Sequence, residues 1–175
     1  MQRRMMLLAA AGTLAGCAGA DIERHAGEQP VLDLRTWFDG RVTGHGMFTD
    51  RGGQVVKRFV VVMNCSWQGD DGVLDEDFTY SDGTTQKRIW RVRRLADGRF
   101  TGRADDVVGE AIGQARGNAL RWNYTLALDV DGKTWNVQMD DWMVLVDRNV
   151  LLNRTRMTKF GVHLGDVTLS FRKGT

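Results

Sequence analysis

The chain has one proline and two cysteines in 175 residues. Two cysteines cannot make the disulfide framework that staples many small secreted folds. No apolar run approaches the roughly 20 residues that a helix needs to cross a bilayer. No segment carries apolar residues at a 3.6-residue period over a helix's length, which excludes folds that need crossover helices. A charge excess is missing as well. There are 24 Lys and Arg against 22 Asp and Glu, and Arg3 and Arg4 account for the whole difference. The basic footprint of a nucleic-acid binder is therefore absent, and no nucleic-acid partner is expected. Gly-x-Ser-x-Gly, phosphate-loop and dinucleotide patterns do not occur. The three histidines, His25, His45 and His163, show no metal-ligand spacing. Neither metal nor cofactor is expected.

What is present begins at the N-terminus. Residues 1–16 read MQRRMMLLAAAGTLAG: two arginines, a short apolar core, then small residues. This is the layout of a secretory signal. Leu14-Ala15-Gly16-Cys17 looks like a bacterial lipobox, in which the cysteine is acylated and the peptide cut before it. The expectation is a signal peptide over 1–16, a lipidated Cys17 with a flexible polar tether over 17–29, and one folded domain over 30–175. Several acyl chains, each contributing about 0.8 kcal/mol per buried CH₂, hold a protein on a membrane surface without spanning it. By resemblance to enterobacterial lipoproteins, Ala18 after the cysteine implies the periplasmic face of the outer membrane.

The domain reads as strands. Turn signals recur at Asp50-Arg51-Gly52-Gly53, Asp70-Asp71-Gly72, Ser81-Asp82-Gly83, Asp97-Gly98 and Asp131-Gly132 among 21 glycines, and Asp-Gly between strand-like runs favours tight hairpins. Strands are expected over 42–49, 54–66, 73–80, 84–95, 99–105, 107–115, 119–129, 133–146, 149–159 and 163–172. Alternation is clearest at 119–129, where Leu120, Trp122, Tyr124, Leu126 and Leu128 share a face. Asp33 to Phe38 fits one helical turn that buries Leu34, Trp37 and Phe38. About ten antiparallel strands in meander order predict an all-β, up-and-down barrel of lipocalin-like layout with a helical turn at one end. An open two-sheet sandwich is the alternative.

Four segments carry a family resemblance: DEDFTYSDG (75–83), ADDVVGEAIGQARGNALRW (104–122), DDWMVLVDRNVLLNR (140–154) and MTKFGVHLGDVTLSF (157–171). Over residues 28–173 the chain resembles an uncharacterised proteobacterial lipoprotein family with a domain of unknown function. The resemblance supplies no catalytic residues. It implies only the company of lipid-modifying enzymes and so favours a lipid-related role.

An apolar small molecule, such as a fatty acyl chain, is the expected partner of a barrel so rich in aromatics. The expected lining is Trp90, Trp122, Tyr124 and Trp135, with Asp141 and Arg154 as a candidate acid-base pair and His45 between two glycines. The remaining carboxylates, at Asp75-Glu76-Asp77, Asp105-Asp106, Glu110 and Asp140, read as cross-strand ion pairs with arginines such as Arg88 and Arg93. Cys65 reads as a buried small hydrophobe. A docking lipoprotein for another envelope protein, with a filled barrel, and an enzyme acting on lipid or envelope material are the other readings. Catalysis is the least favoured.

Overall fold

The computed structural model describes residues 20–174. The proposed signal peptide and Cys17 lie outside them. Ten strands follow one another: β1 (Gly40–Asp50), β2 (Val55–Gln68), β3 (Asp71–Tyr80), β4 (Thr85–Arg94), β5 (Phe100–Arg103), β6 (Val107–Arg116), β7 (Ala119–Val130), β8 (Lys133–Leu145), β9 (Val150–Lys159) and β10 (Val162–Lys173). Each pairs antiparallel with its neighbours, and β1 pairs with β10 to close the barrel. The closed barrel is the expected fold, and the sandwich alternative is not adopted. Closure removes both sheet edges. Turn chemistry drives the meander. Asp131 and Gly132 between β7 and β8, and Phe160 and Gly161 between β9 and β10, all have positive φ, as a two-residue type I′ hairpin requires.

Alternation decides what faces in. In β7, Leu120, Trp122 and Leu126 are buried, as their shared face predicted. In β2, Val61, Met63 and Cys65 point inward while Val56 and Val60 are exposed. Cys65 is buried and free, and burial, with Glu76 and Asp39 nearby, pushes its thiol up to about 12. It is an inert hydrophobe at neutral pH.

The two ends of the barrel differ. Helix α1 (Leu34–Trp37), capped by Asp33, closes the end where β1 begins. Leu34, Trp37 and Phe38 are buried beneath it. Phe38 meets Phe171 edge-on at 5.9 Å, and its carbonyl accepts a 2.7 Å hydrogen bond from Trp67 Nε1. Lys173 Nζ donates to the carbonyls of Thr36 and Trp37. These contacts tie the helix to β2 and β10, the two strands that flank β1.

The segment expected as a flexible tether is in part ordered. Ile22–His25 forms a 3-10 turn against β6 and β7, with Ile22 buried. Glu23 accepts from Gln114 Nε2 at 2.9 Å and from Arg116 Nε at 3.0 Å, and His25 Nδ1 lies 3.1 Å from Asn118 Oδ1. Gly117 makes room: at φ +50 a Cβ there would fall 1.8 Å from the His25 carbonyl oxygen. A polar stretch with one isoleucine looks disordered until the surface that receives it has been built from residues more than ninety positions away.

Two inward glycines seat Trp122. A Cβ at Gly113, directly across from Trp122, would lie 2.2 Å from the indole; one at Gly102 would lie 2.6 Å away. Gly113→Val is therefore expected to displace Trp122 and to destabilise the barrel by about 1–3 kcal/mol. Thermal melting and a red-shifted tryptophan emission would show it, and an unchanged spectrum and melting temperature would refute this packing.

Candidate functional site

The barrel encloses a cavity of about 840 Å³, within the range of small-molecule sites. Leu34 and Phe38 form its floor at the α1 end. Lys57, Thr84, Gln86, Leu128 and Asp129 stand toward the opposite end, where the β1–β2, β3–β4 and β7–β8 turns lie. Most of the wall is apolar: Phe59, Phe78, Trp90, Trp122, Met139, Met157 and Leu169 among others. Trp90 packs edge-on against both Trp122 at 5.7 Å and Tyr124 at 5.3 Å.

A polar cluster interrupts this wall. Glu76 of β3 and Arg88 of β4 are cross-strand partners, with Arg88 Nη1 3.9 Å from Glu76 Oε2. Asp106, in the β5–β6 turn, accepts from Arg88 Nε at 2.9 Å and from Nη2 at 2.6 Å. Tyr124 of β7, Asp141 of β8, and Asn153 and Thr155 of β9 complete the cluster. Asp141 sits directly opposite Trp122 on one side and Thr155 on the other. Glu76 is 8% and Asp141 6% exposed, and Asp141 Oδ1 has no hydrogen-bond partner in the protein.

Burial dominates the electrostatics. It raises Glu76 to about 7 against the opposing charge of Arg88, with Asp106 and Asp141 adding to the rise. It likewise raises Asp141 to about 7, against Thr155 and Arg88. Burial alone would lower Arg88, but Glu76 and Asp106 outweigh it and hold the guanidinium firmly charged. Tyr124 is pushed well up by burial and by Asp141. Two acids raised toward neutrality beside an arginine, lining an open apolar chamber, make this cluster a candidate site.

The residues named from sequence divide between the two faces. Trp90, Trp122, Tyr124 and Asp141 line the cavity. Trp135 lies in the same row of β8 as Val137, Met139 and Asp141, but close to the β7–β8 turn. There it is 38% exposed beneath Lys159 Nζ, 3.9 Å from its ring centroid. Arg154 points outward to Asp166 at 3.3 Å, because its register partner is Trp142 and not Asp141. Asp141 and Arg154 are thus on opposite faces and make no pair. His45 also points outward. The inward sides of the flanking Gly44 and Gly46 are filled by Val61, Phe59 and Leu169, leaving no approach for a ligand there. His45 and Arg154 share an outer hollow with Met47, Val60 and Trp142.

Of the carboxylates expected to form cross-strand ion pairs, Asp75 and Asp77 pair with Lys87, Glu110 with Arg103 and Asp140 with Arg121 on the outside, as Asp71 does with Arg93, whereas Asp105 makes no ion pair among the described residues. The Glu76–Arg88–Asp106 group faces in. A signal for it exists in the alternation. Glu76 lies between Leu74 and Phe78 on one face, and Arg88 precedes Trp90 and Val92 on another. An ionisable residue in an apolar row is a candidate for the interior.

The family model described as "Protein of unknown function (DUF3833)" matches residues 11–173. The chain belongs to that family. A search of the curated proteins returned no match. Among solved structures, the barrel is similar to the S-type phycobiliprotein lyase CPES from Guillardia theta. The TM-score is 0.60 at 7% identity, covering 89% of this chain and 99% of that one. At that identity the likeness is one of fold, a lipocalin-like barrel.

The buried acids make stability depend on pH with a definite sign. An acid whose pKa is higher folded than unfolded holds its proton longer in the folded state, so stability falls as pH rises. For Glu76 and Asp141 the window runs from the ordinary carboxylate range to about 7. The melting temperature is expected to fall between pH 5 and 8. Glu76→Gln or Asp141→Asn should remove on the order of 3 kcal/mol of that loss. Melting curves across pH check this, and variants with the wild-type slope would show that these acids are not what titrates.

Proposed function

We propose that this protein is a lipid-anchored binding module of the bacterial cell envelope. It holds one apolar small molecule inside its barrel. The observation that carries the reading is the cavity of about 840 Å³, walled by aromatic and aliphatic side chains and floored by α1. A barrel meant only as a rigid docking body would gain stability by filling that volume with side chains. The protein similar in fold is a phycobiliprotein lyase, and the likeness is one of fold alone.

In this proposal Cys17 is the acylated residue and the periplasmic face of the outer membrane is the site of anchoring. The order of the chain supports a consistent geometry. Ile22–His25 packs on β6 and β7 near Arg116 and Asn118, at the α1 end of the barrel. A lipid on Cys17 would tether that end, leaving the mouth of the cavity facing away from the anchoring membrane.

A second reading, acid-base chemistry on the bound molecule, has one observation in its favour: Glu76 and Asp141 both titrate near neutrality inside the cavity. Asp141, Arg154 and His45, the residues that the sequence suggests for an enzyme, do not converge on one site.

Native mass spectrometry with lipid extraction, on the protein purified from its own host, tests the binding reading. A stoichiometric co-purified apolar molecule is expected. Trp90→Leu and Trp122→Leu, with folding confirmed by circular dichroism, should weaken its retention about tenfold. Trp142→Leu, on the outer face, should leave retention unchanged. An empty protein that also takes up no fatty alcohol, amine or acid would overturn the proposal and direct crosslinking toward an envelope protein partner.

A further inference from the structure

The charges of the inner cluster do not balance. Glu76, Asp106 and Asp141 face a single guanidinium, that of Arg88. Arg88 is already engaged. Asp106 takes hydrogen bonds from Nε and Nη2, and Glu76 lies 3.9 Å from Nη1. The other cation along the wall, Lys57, is held at the mouth by Asp82 at 2.8 Å and lies over the Tyr80 ring at 4.3 Å. No free positive charge among the described residues therefore reaches the inner cluster.

Asp141 is the sharpest feature. It lines the cavity and is 6% exposed; the Thr155 and Tyr124 hydroxyls lie close to its carboxylate, yet its Oδ1 receives no well-formed hydrogen bond. A buried acceptor left without a donor opposes folding. A donor group on a ligand would relieve that cost. A carboxylate or phosphate brought to the same place would meet two acids and an already engaged arginine, with nothing to neutralise it.

We propose that the molecule held in this barrel presents an uncharged or cationic hydrogen-bond donor, such as an amine, to Asp141 and Glu76. Its apolar body lies against Trp90 and Trp122. The inference rests on the binding reading above and narrows it. Free fatty acids, which an apolar cavity alone would admit, are rejected by the polar end of this one.

The test uses the chain from residue 18, which keeps every element of the barrel and its 3-10 turn. Quenching of tryptophan emission is followed as dodecylamine, dodecanol and dodecanoic acid are titrated in at pH 8, below their aggregation concentrations. Dodecylamine is expected to bind at least tenfold tighter than dodecanoate, with dodecanol between them. Asp141→Asn and Glu76→Gln should each shrink the preference for the amine. At pH 5.5 the preference should narrow, as Asp141 and Glu76 take up protons beside Arg88, Asp106 and Tyr124, with Asp75 and Asp140 flanking them in the chain. Equal affinities for the three probes, or tightest binding of dodecanoate, would overturn the inference and leave the binding reading standing. No uptake of any probe would overturn both. Because the ranking is read first on the unaltered chain, a variant that fails to fold does not blunt the test.

Discussion

The pairing of β1 with β10 is the constraint on which the rest depends. Nine residue pairs, from Val42 with Lys173 to Asp50 with Gly165, join the first strand to the last. Once that seam forms, every strand has two neighbours and one inner face, and the alternation of each strand is tied to a common interior. The seam itself needs small residues. A Cβ at Gly165 would lie 2.2 Å from the Thr49 carbonyl oxygen, and one at Gly46 would lie 2.5 Å from the Phe59 ring. Backbone thus approaches backbone at the seam, and Phe59 and Leu169 occupy the space that side chains on β1 would have taken.

An interior made this way is not simply a core. Side chains could have filled its volume, yet it retains an open space with ionisable groups inside it. Burying Glu76 and Asp141 opposes folding, since each would be more easily ionised in water. The Arg88–Asp106 pair gains from hydrogen bonding at close range, but losing one partner of such a pair would leave an uncompensated charge in an apolar chamber. Natural sequences retain such local conflicts chiefly where a function needs them. The conflict here lies among Trp90, Trp122 and Tyr124, in the one part of the barrel where apolar area, buried acids and free volume coincide.

Membership in the family and likeness to a solved lyase say different things. The family match spans nearly the whole chain and carries no activity with it. The structural likeness extends over 89% of the chain but keeps 7% of its residues. Function is therefore argued from the site, because a shared barrel hosts unrelated chemistries. In this barrel that site is an acidic polar cluster with the orphaned Oδ1 of Asp141.

By itself the sequence determined the strands, nearly residue for residue, because Asp-Gly turns and period-two alternation are local properties of the chain. It also determined the helical turn at Leu34–Trp37, through its cap and its three apolar residues. From alternation alone Trp122 and Tyr124 could be placed on the apolar face of β7. Register was another matter. Whether Arg154 stands opposite Asp141 or Trp142 depends on how β8 and β9 slide against each other, and one residue's difference exchanges the inside for the outside. The same applies to Asp106, which reaches Arg88 across eighteen residues of chain, and to Ile22, whose burial needs β6 and β7 already in place. Trp135 shows the remaining limit: alternation assigns it to an inner row, but only the finished barrel shows that this part of the row lies at the rim. Local patterns decide which elements form and which face is apolar. The volume left empty, and the charges that meet across it, exist only once distant strands have closed around them.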